Sequence, residues 1–208
     1  MIPHSNVTVN IKYESYAEYF VLNRGDKLMD FMCLNFINSR WYISHKPFRD
    51  PFKDQSWLAK FSSRWNLPEI TISMHGINKL IEFREFMFQV LMKLCTEHTI
   101  SPSNIEELNK ILKNGKSQQI LIQRENHYLL QTIKQTDDIS WITYQITLSF
   151  AKLITEYSLT YLKKCGNPEC DWIFYDDSKS HTRKWCDSKC ASLMKVRKYR
   201  AVRKKDKQ

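Results

Sequence analysis

The sequence predicts a mainly helical α+β fold, in which a helical N-terminal domain with one small β-hairpin precedes a compact cysteine-rich module and a basic C-terminal helix. Three observations favour this fold. Apolar residues recur every three or four positions over several stretches of the first 164 residues, which is typical of helices packed on a core. Two short apolar runs flank a polar segment near residue 125, which indicates a hairpin. Four cysteines then follow in two close pairs, and a run of cations comes after them.

Length and composition fit one domain with a small module attached. The chain has 208 residues, of which 42% are hydrophobic, so a sizeable core is available. Only four glycines and six prolines occur, and no repeat or low-complexity segment precedes the terminal basic run. We therefore expect a compact fold up to that run.

The first elements are short. Residues 7–11 alternate between apolar and polar types and residues 19–22 form an apolar run, so one or two strands are expected here. A helical stripe begins at Asp26 and ends near Arg40. A proline-containing loop separates this helix from a short helix expected over residues 55–64.

The clearest helix covers residues 75–95, where apolar residues are spaced by three and four. Arg84 lies on the same apolar face. A capping box formed by Ser103 and Glu106 predicts the start of a further helix, and Gly115 predicts its end.

A β-hairpin is predicted where the apolar residues 120–122 and 128–133 flank a polar turn. Asp137 or Asp138 is expected to cap the last long helix. The apolar face of that helix predicts that it runs to about Lys163 and delivers the chain directly to the first cysteine of the module.

The four cysteines predict a structural zinc site. They stand as C-x4-C, a 15-residue gap and C-x3-C, and each close pair can supply one edge of a tetrahedron. A complete tetrahedron leaves no open position for a substrate, so one zinc ion per chain is expected to stabilise the fold. The predicted ligands are Cys165, Cys170, Cys186 and Cys190.

The domain boundary is expected near Lys164, with a helical domain at residues 1–164 and the zinc module at residues 165–208. Because the link is short, the two parts are expected to pack against each other. A turn at the first cysteine pair, a short hairpin and a second pair at a helix N-terminus would give a treble-clef-like arrangement. Disulfides are the competing interpretation of the four thiols, and the lack of an export signal in the first residues disfavours them.

The remaining cysteines, Cys33 and Cys95, lie in helical apolar patterns and are expected to be packed thiols. His181 lies between the ligand pairs, but four cysteines complete the site, so a solvated or phosphate-facing histidine is expected. The first residues carry no export signal and no 18-residue apolar window occurs, which predicts a cytoplasmic protein without a membrane partner.

The positive charge is concentrated at the C-terminus. The chain has a net charge of +10, and residues 189–208 contain nine cations and one carboxylate. This concentration beside a zinc site predicts phosphate recognition, with duplex DNA as the expected partner, while a solvated tail is the alternative. On this helix we expect Leu193, Val196 and Val202 to face inward. The predicted nucleic-acid-binding residues are Arg183, Lys184, Lys195, Arg197, Lys198, Arg200 and Arg203.

Four short motifs occur in the two parts of the chain. Residues 170–178 contain a Phe-x-Asp-x-Ser run after the second cysteine, and residues 183–186 read Arg-Lys-Trp-Cys. Residues 34–39 read Leu-Asn-Phe-Ile-Asn-Ser, and residues 83–85 read Phe-Arg-Glu. These motifs resemble those of the bacterial CGNR zinc-finger family, which is described as stress-induced transcription regulators with a helical N-terminal ABATE domain. The resemblance implies the same two-part organisation and a role in transcription.

The chain departs from that family at its last cysteine. The family's Cys-Gly-Asn-Arg is Cys-Ala-Ser-Leu at residues 190–193. The zinc ligand is retained, and any DNA or buttressing contact made by the family's arginine is lost or relocated.

Asn38 and Arg84 are polar residues within apolar helical patterns, and two interpretations remain open. Buried polar groups are usually paired inside the protein, here with a carboxylate or with backbone carbonyls. The sharper interpretation is that Asn38 and Arg84 bind a small anionic ligand in a sensing domain.

The sequence does not predict an enzyme, because it contains no P-loop, no nucleophile elbow and no His-Glu-x-x-His motif. Two classes of function remain. One is a bacterial DNA-binding transcription regulator with an N-terminal sensing or interaction domain. The other is an RNA-binding or protein-interaction module that uses the same basic helix. The sequence leaves the oligomeric state open.

Overall fold

The computed structural model describes residues 30–44, 48–67, 72–115, 117–134 and 136–205. The strands expected within residues 7–11 and 19–22 lie outside the described residues, as does the start of the helix expected from Asp26.

Short helices and one turn open the described chain. The helices are α1 Met32–Asn38, α2 Trp41–Ser44 and α3 Gln55–Arg64, and a 3-10 turn covers Pro51–Lys53. Asp54 begins α3, because its carboxylate accepts the Ser56 backbone N–H at 3.0 Å. The bounds predicted for α3 are confirmed, and α1 ends close to the predicted Arg40.

Two longer helices follow. Helix α4 covers Met74–Glu97 and buries the apolar face that the sequence predicts, including Arg84. Helix α5 covers Pro102–Asn114 and ends at Gly115 as predicted, but its N-cap is Ser101 and not Ser103. The Ser101 hydroxyl accepts the Asn104 N–H at 3.3 Å, and proline at the next position is favourable because the first helical residue needs no N–H.

The predicted hairpin is confirmed. Strand β1 Ser117–Arg124 pairs antiparallel with β2 His127–Lys134, and Leu121 lies opposite Leu130. Gly115 brings the chain into the hairpin against helix α6 (Asp138–Glu156), where any larger side chain would collide with the Tyr144 ring.

Asp137 caps α6, since its carboxylate accepts the backbone N–H groups of Ile139 and Ser140. The helix ends at Glu156, about two turns before the predicted Lys163, and this prediction was wrong. The chain straightens at Tyr157 and then forms strand β3 Leu162–Lys164, which pairs antiparallel with β4 Ile173–Tyr175. The apolar residues after Glu156 lie in a 3-10 turn, Leu159–Tyr161, and in this strand, and periodicity over so short a run does not distinguish them from a helix.

The main buried cluster contains residues from both parts of the chain. Helices α1, α4 and α6 pack together, and Leu162, Ile173 and Tyr175 from the β3–β4 hairpin belong to the same buried cluster. The expected packing of the two parts is confirmed. The boundary at Lys164 stays a prediction.

The last element is helix α7 Ser188–Lys205. Within the described residues, no helix is both long and apolar enough to cross a membrane.

Candidate metal centre and nucleic-acid interface

Two local structures present the four cysteines. Cys165 follows β3 and Cys170 precedes β4, so the first pair lies in the turn of the β3–β4 hairpin; Cys165 N–H donates to Trp172 O at 2.8 Å. Cys186 precedes α7 and Cys190 lies in its first turn. The Asp187 carboxylate accepts the Cys190 N–H at 2.7 Å and fixes that turn.

The four sulfur atoms lie close enough together to bind one metal ion. All ligand atoms lie within 4.8 Å of one another, with Sγ–Sγ distances of 3.8 Å for Cys170–Cys186 and 3.7 Å for Cys186–Cys190. A tetrahedron with Zn–S bonds of about 2.3 Å has edges of about 3.8 Å, which matches these distances. The predicted site is confirmed as a zinc site for one structural ion, which holds the hairpin and the helix start together when bound.

Zinc has to displace protons from most of these thiols when it binds. Hydrogen bonds from Cys170 and Cys186 lower the pKa of the Cys165 thiol to about 2. The bond to Cys165 raises the pKa of Cys170 to about 12, and the pKa of Cys186 is raised for the same reason. Burial raises the pKa of Cys190. The thiols by themselves stabilise one thiolate, whereas a divalent ion stabilises four.

The surroundings of the sulfurs restrain them. Cys186 N–H donates to Cys165 Sγ at 3.4 Å, and Asn167 Nδ2 donates to Cys190 Sγ at 3.6 Å. Aromatic side chains shield the site, and one of them comes from α2 in the N-terminal part. These are Trp41, Trp172, Phe174 and Trp185.

Asp176 organises the loop between β4 and the third cysteine. Its buried carboxylate accepts from Lys163 Nζ at 2.6 Å, from Ser178 Oγ at 2.5 Å and from the Arg183 backbone N–H at 2.9 Å. Burial alone raises the pKa of Asp176, but these hydrogen bonds outweigh it and lower the pKa to about 2. The Phe-x-Asp-x-Ser motif therefore holds the loop in place.

We expect Asp176→Asn to destabilise the protein by about 2–3 kcal/mol, because the new amide N–H₂ would face N–H donors. The lowered pKa means that the stabilisation is complete above the unfolded pKa near 4 and is lost as the pH falls towards 2. Thermal denaturation should thus show a constant difference between the two proteins from about pH 5 to 8. Asp177→Asn, on an exposed carboxylate, is the matched control. Equal stability of Asp176→Asn and the wild type would contradict this role.

The Arg183 side chain also bonds to backbone groups close to it in sequence. Its guanidinium donates to Trp185 O at 2.8 Å and to Cys186 O at 2.7 Å, and lies 5.7 Å from the Phe174 ring centroid. These contacts hold the segment that carries the third ligand. Lys184, next to it, is exposed.

The C-terminal part is a zinc-stabilised hairpin followed by a helix, which is the treble-clef-like arrangement expected. Residues 161–203 match the family model of the CGNR zinc finger. No curated protein matches the chain.

Helix α7 contacts the body along one face only. Cys190, Ala191, Met194 and Arg197 are partly buried, whereas Leu193, Val196 and Val202 are 41–51% exposed. The prediction that these three residues face inward was wrong. The zinc ligand at Cys190 fixes which side of the helix meets the body, and the helix leaves the body beyond Arg197.

The predicted nucleic-acid-binding residues have different surroundings. Arg197 donates to the Glu169 carboxylate at 2.5 Å and to Asn167 Oδ1 at 3.4 Å, which links α7 to the turn between the first two ligands. Arg183 has the carbonyl partners described above. The remaining predicted residues are exposed: Lys184, Lys195, Lys198, Arg200 and Arg203.

The predicted ligand-binding residues have internal partners. Asn38 exchanges two hydrogen bonds with the backbone of Ile173, at 2.8 and 3.0 Å. The fully buried Arg84 donates to both Asp50 carboxylate oxygens, at 2.8 and 2.5 Å, and to Ser39 Oγ at 3.2 Å. Burial raises the pKa of Asp50, but the hydrogen bond from Arg84 and the Phe52 N–H lower it below its usual value. Both side chains thus have the contacts expected if buried polar groups are paired inside the protein.

The sequence analysis did not predict the ion pairs that join the N-terminal part of the chain to the zinc module. Arg40 pairs with Glu85 at 2.7 Å and with Asp171 at 3.5 Å, and Lys164 pairs with Asp171 at 3.1 Å. Asp171 thus contacts both the N-terminal part and β3. The sequence did contain one indication of these ion pairs. Residues 39–40, 84–85 and 171 all lie in or beside the motifs that resemble those of the CGNR family.

Proposed function

We propose that this protein binds duplex DNA through helix α7 and regulates transcription. One observation carries the proposal. The zinc ligands Cys186 and Cys190 fix the start of a helix that projects from the body and carries exposed cations along its length. A rigid cationic helix of 18 residues is well suited to a major groove, which admits an α-helix.

The outward face of α7 is defined by helical spacing. Ser192, Val196, Tyr199 and Arg203 are separated by four, three and four positions, so they share one face, opposite Cys190 and its partly buried neighbours. All four are exposed. We call them the outward row.

The outward row and its flanks suit different contacts. Lys195 and Arg200 flank the row and can neutralise phosphates on either side of a groove. Within the row, a hydroxyl, a branched methyl group and a guanidinium are suited to base edges, including the thymine methyl group. Arg203 lies over the Tyr199 ring at 4.8 Å from its centroid, which restricts its orientation before binding.

Arg197 has a supporting role in this proposal. Because it is paired with Glu169, it contributes to the direction of α7 and not to phosphate neutralisation. The family's arginine after the last cysteine is absent here, and the cations two turns further along the helix take its place.

The N-terminal part supplies a sensing or interaction function in this proposal. Its motifs resemble those of the ABATE domain, and they lie at the junction with the zinc finger. Asn38 bonds to β4, and Asp171 contacts Arg40 and Lys164. A conformational change in α1 or α4 can therefore be transmitted to the zinc finger through these contacts. An anionic ligand at Arg84 would have to displace Asp50.

A second candidate is an RNA-binding or protein-interaction module that uses the same helix. The exposure of Leu193, Val196 and Tyr199 favours a protein partner, since apolar side chains gain most from burial against another apolar surface. Competition distinguishes the candidates: duplex DNA should displace a labelled duplex more efficiently than structured RNA of equal length does.

Salt dependence tests the proposed contact. If about five cations of α7 each neutralise a phosphate, a plot of log affinity against log salt on duplex DNA should have a slope of about −4 to −5. The triple variant Lys195→Gln, Lys198→Gln, Arg200→Gln, which leaves the outward row unchanged, should reduce this slope by about 3 and weaken binding on every sequence if all three contact phosphate. Fluorescence anisotropy at several salt concentrations measures both quantities.

The matched control removes three exposed lysines from other helices, as Lys79→Gln, Lys93→Gln, Lys113→Gln. It changes the net charge equally, so it should leave the slope nearly unchanged. The same loss in both variants would mean that net charge and not α7 determines binding. Val196→Ala or Tyr199→Ala should change the preference among sequences more than the overall affinity if the outward row reaches base edges.

A further inference from the structure

Tyr199 and Arg203 form a pair on the exposed side of helix α7. The Arg203 guanidinium lies 4.8 Å from the centroid of the Tyr199 ring, and both side chains are exposed. Val196 lies on the same side, three positions before Tyr199, and is 45% exposed. On the basis of the DNA binding proposed for α7, we propose that Arg203 recognises a guanine, that Val196 recognises a thymine, and that Tyr199 positions Arg203.

The Arg203 guanidinium has the chemistry of a guanine contact. It presents several N–H donors in one plane, and guanine exposes the two acceptors O6 and N7 side by side in the major groove. None of the other three bases presents two acceptors there. Arg203 lies within the outward row and not on its flanks, so it faces the base edges when Lys195 and Arg200 lie over the phosphates.

The Tyr199 ring reduces the cost of ordering Arg203 on a base. An arginine side chain has many rotamers in water, and fixing it in one of them costs conformational entropy. The ring attracts the guanidinium and restricts those rotamers before DNA binds. This effect comes from the face of the ring and does not need the hydroxyl group. Phenylalanine at position 199 is therefore expected to preserve it, and alanine to remove it.

Val196 presents methyl groups and no hydrogen-bonding group. Thymine is the base that presents a methyl group in the major groove, and contact between the two removes apolar surface from water. Val196 and Arg203 are seven positions apart, which is about 10.5 Å along a helix, or about three steps of 3.4 Å in DNA. A helix inclined in the groove advances less, as in zinc fingers whose helix contacts three successive bases. The thymine and the guanine are thus expected to be separated by one or two base pairs.

Charge favours duplex DNA over an apolar protein surface as the occupant of the outward row. Helix α7 contains eight cations and no carboxylate. A protein surface that buried Val196 would also have to cover the neighbouring Lys195, Arg200 and Arg203, and burial of a charge without a partner is costly. A duplex offers phosphates to the cations and a methyl group to the valine at the same time.

The test uses the full chain with zinc bound and a duplex selected from a random pool. We expect the selected site to contain a T·A pair and a G·C pair separated by one or two base pairs. Two base analogues then remove single contacts, since deoxyuridine lacks the thymine methyl group and 7-deazaguanine lacks N7. The wild type should bind the 7-deazaguanine duplex about 5- to 10-fold more weakly and the deoxyuridine duplex about fourfold more weakly.

Substitutions on α7 assign each contact to a side chain. Arg203→Met should bind the guanine and 7-deazaguanine duplexes equally, and Val196→Ala should no longer distinguish thymine from deoxyuridine. Tyr199→Ala should reduce the 7-deazaguanine effect, whereas Tyr199→Phe should retain it. Val202→Ala truncates a similarly exposed valine outside the outward row, so this control should retain both effects. Zinc content and circular dichroism show whether each variant keeps the fold.

The outcomes separate this inference from the proposed function. A wild type that binds no duplex would overturn both. Binding with the expected salt slope, but without a selected site or with a site that lacks this base pattern, would overturn only the inference. A 7-deazaguanine effect that persists in Arg203→Met, or an equal loss on every sequence in that variant, would overturn guanine recognition. Identical behaviour of Tyr199→Phe and Tyr199→Ala would contradict the positioning role of Tyr199.

Discussion

Cys170→Ser is expected to reduce the zinc content from one ion per chain to nearly none after dialysis. A serine hydroxyl is a poor zinc ligand, and the three remaining thiols cannot complete the tetrahedron. Structural zinc contributes about 10–16 kcal/mol in small finger peptides, so the loss should unfold the β3–β4 turn and release the start of α7. Metal analysis combined with counting of reactive thiols measures both effects.

Cys95→Ser is the matched control, because Cys95 is a partly buried thiol that is not one of the four clustered cysteines, with a pKa that burial raises to about 12. It should retain one zinc ion. We also expect the helices of the N-terminal part to persist in Cys170→Ser, since α1, α4 and α6 share their own apolar faces. Far-ultraviolet circular dichroism should therefore lose no more helix than α7 contains. Retention of zinc by Cys170→Ser would contradict the ligand assignment.

Arg84→Met is expected to destabilise the protein by about 3–5 kcal/mol, because it leaves the Asp50 carboxylate without the partner that offsets its burial. The loss should also loosen the turn at Pro51–Lys53, where the Asp50 carboxylate accepts the Phe52 backbone N–H. Chemical denaturation gives the free energy of unfolding. Arg49→Met removes an exposed ion pair to Asp54 and should cost less than about 1 kcal/mol.

The same variant separates the two interpretations of Arg84. Stability of Arg84→Met close to that of the wild type, together with the loss of stabilisation by added inorganic phosphate, would indicate an anion-binding arginine. A large loss of stability without any added anion would confirm a structural one.

Residues with local or metal-defined partners were predictable from the sequence. The zinc ligands follow from their spacing alone, since the geometry of the ion dictates two close pairs. The sequence predicts α3 after a proline-containing loop, and it predicts the β1–β2 hairpin from two apolar runs that flank a polar turn. The sequence also singled out Asn38 and Arg84 as polar residues on apolar faces.

Partners that are distant in sequence were not predictable. Arg84 meets Asp50, which lies 34 positions earlier in a loop, and Asn38 meets Ile173, 135 positions later. Periodicity identifies an apolar row on a helix but not whether a neighbour covers it, which is why Leu193 and Val196 were assigned inward. The prediction of where α6 ends was wrong for a related reason. Pairing with β4, which is distant in sequence, decides the conformation of residues 162–164.

The amide of Asn38 acts on Ile173 as a neighbouring strand would. Its Nδ2 donates to the Ile173 carbonyl, and its Oδ1 accepts the Ile173 N–H, so one side chain supplies both halves of a backbone ladder step. The free edge of the zinc-finger hairpin is thereby closed at this residue, and no extended peptide can add there without first expelling the helix α1 side chain. The Asn38 amide therefore protects this edge of the zinc finger against edge-to-edge association at Ile173.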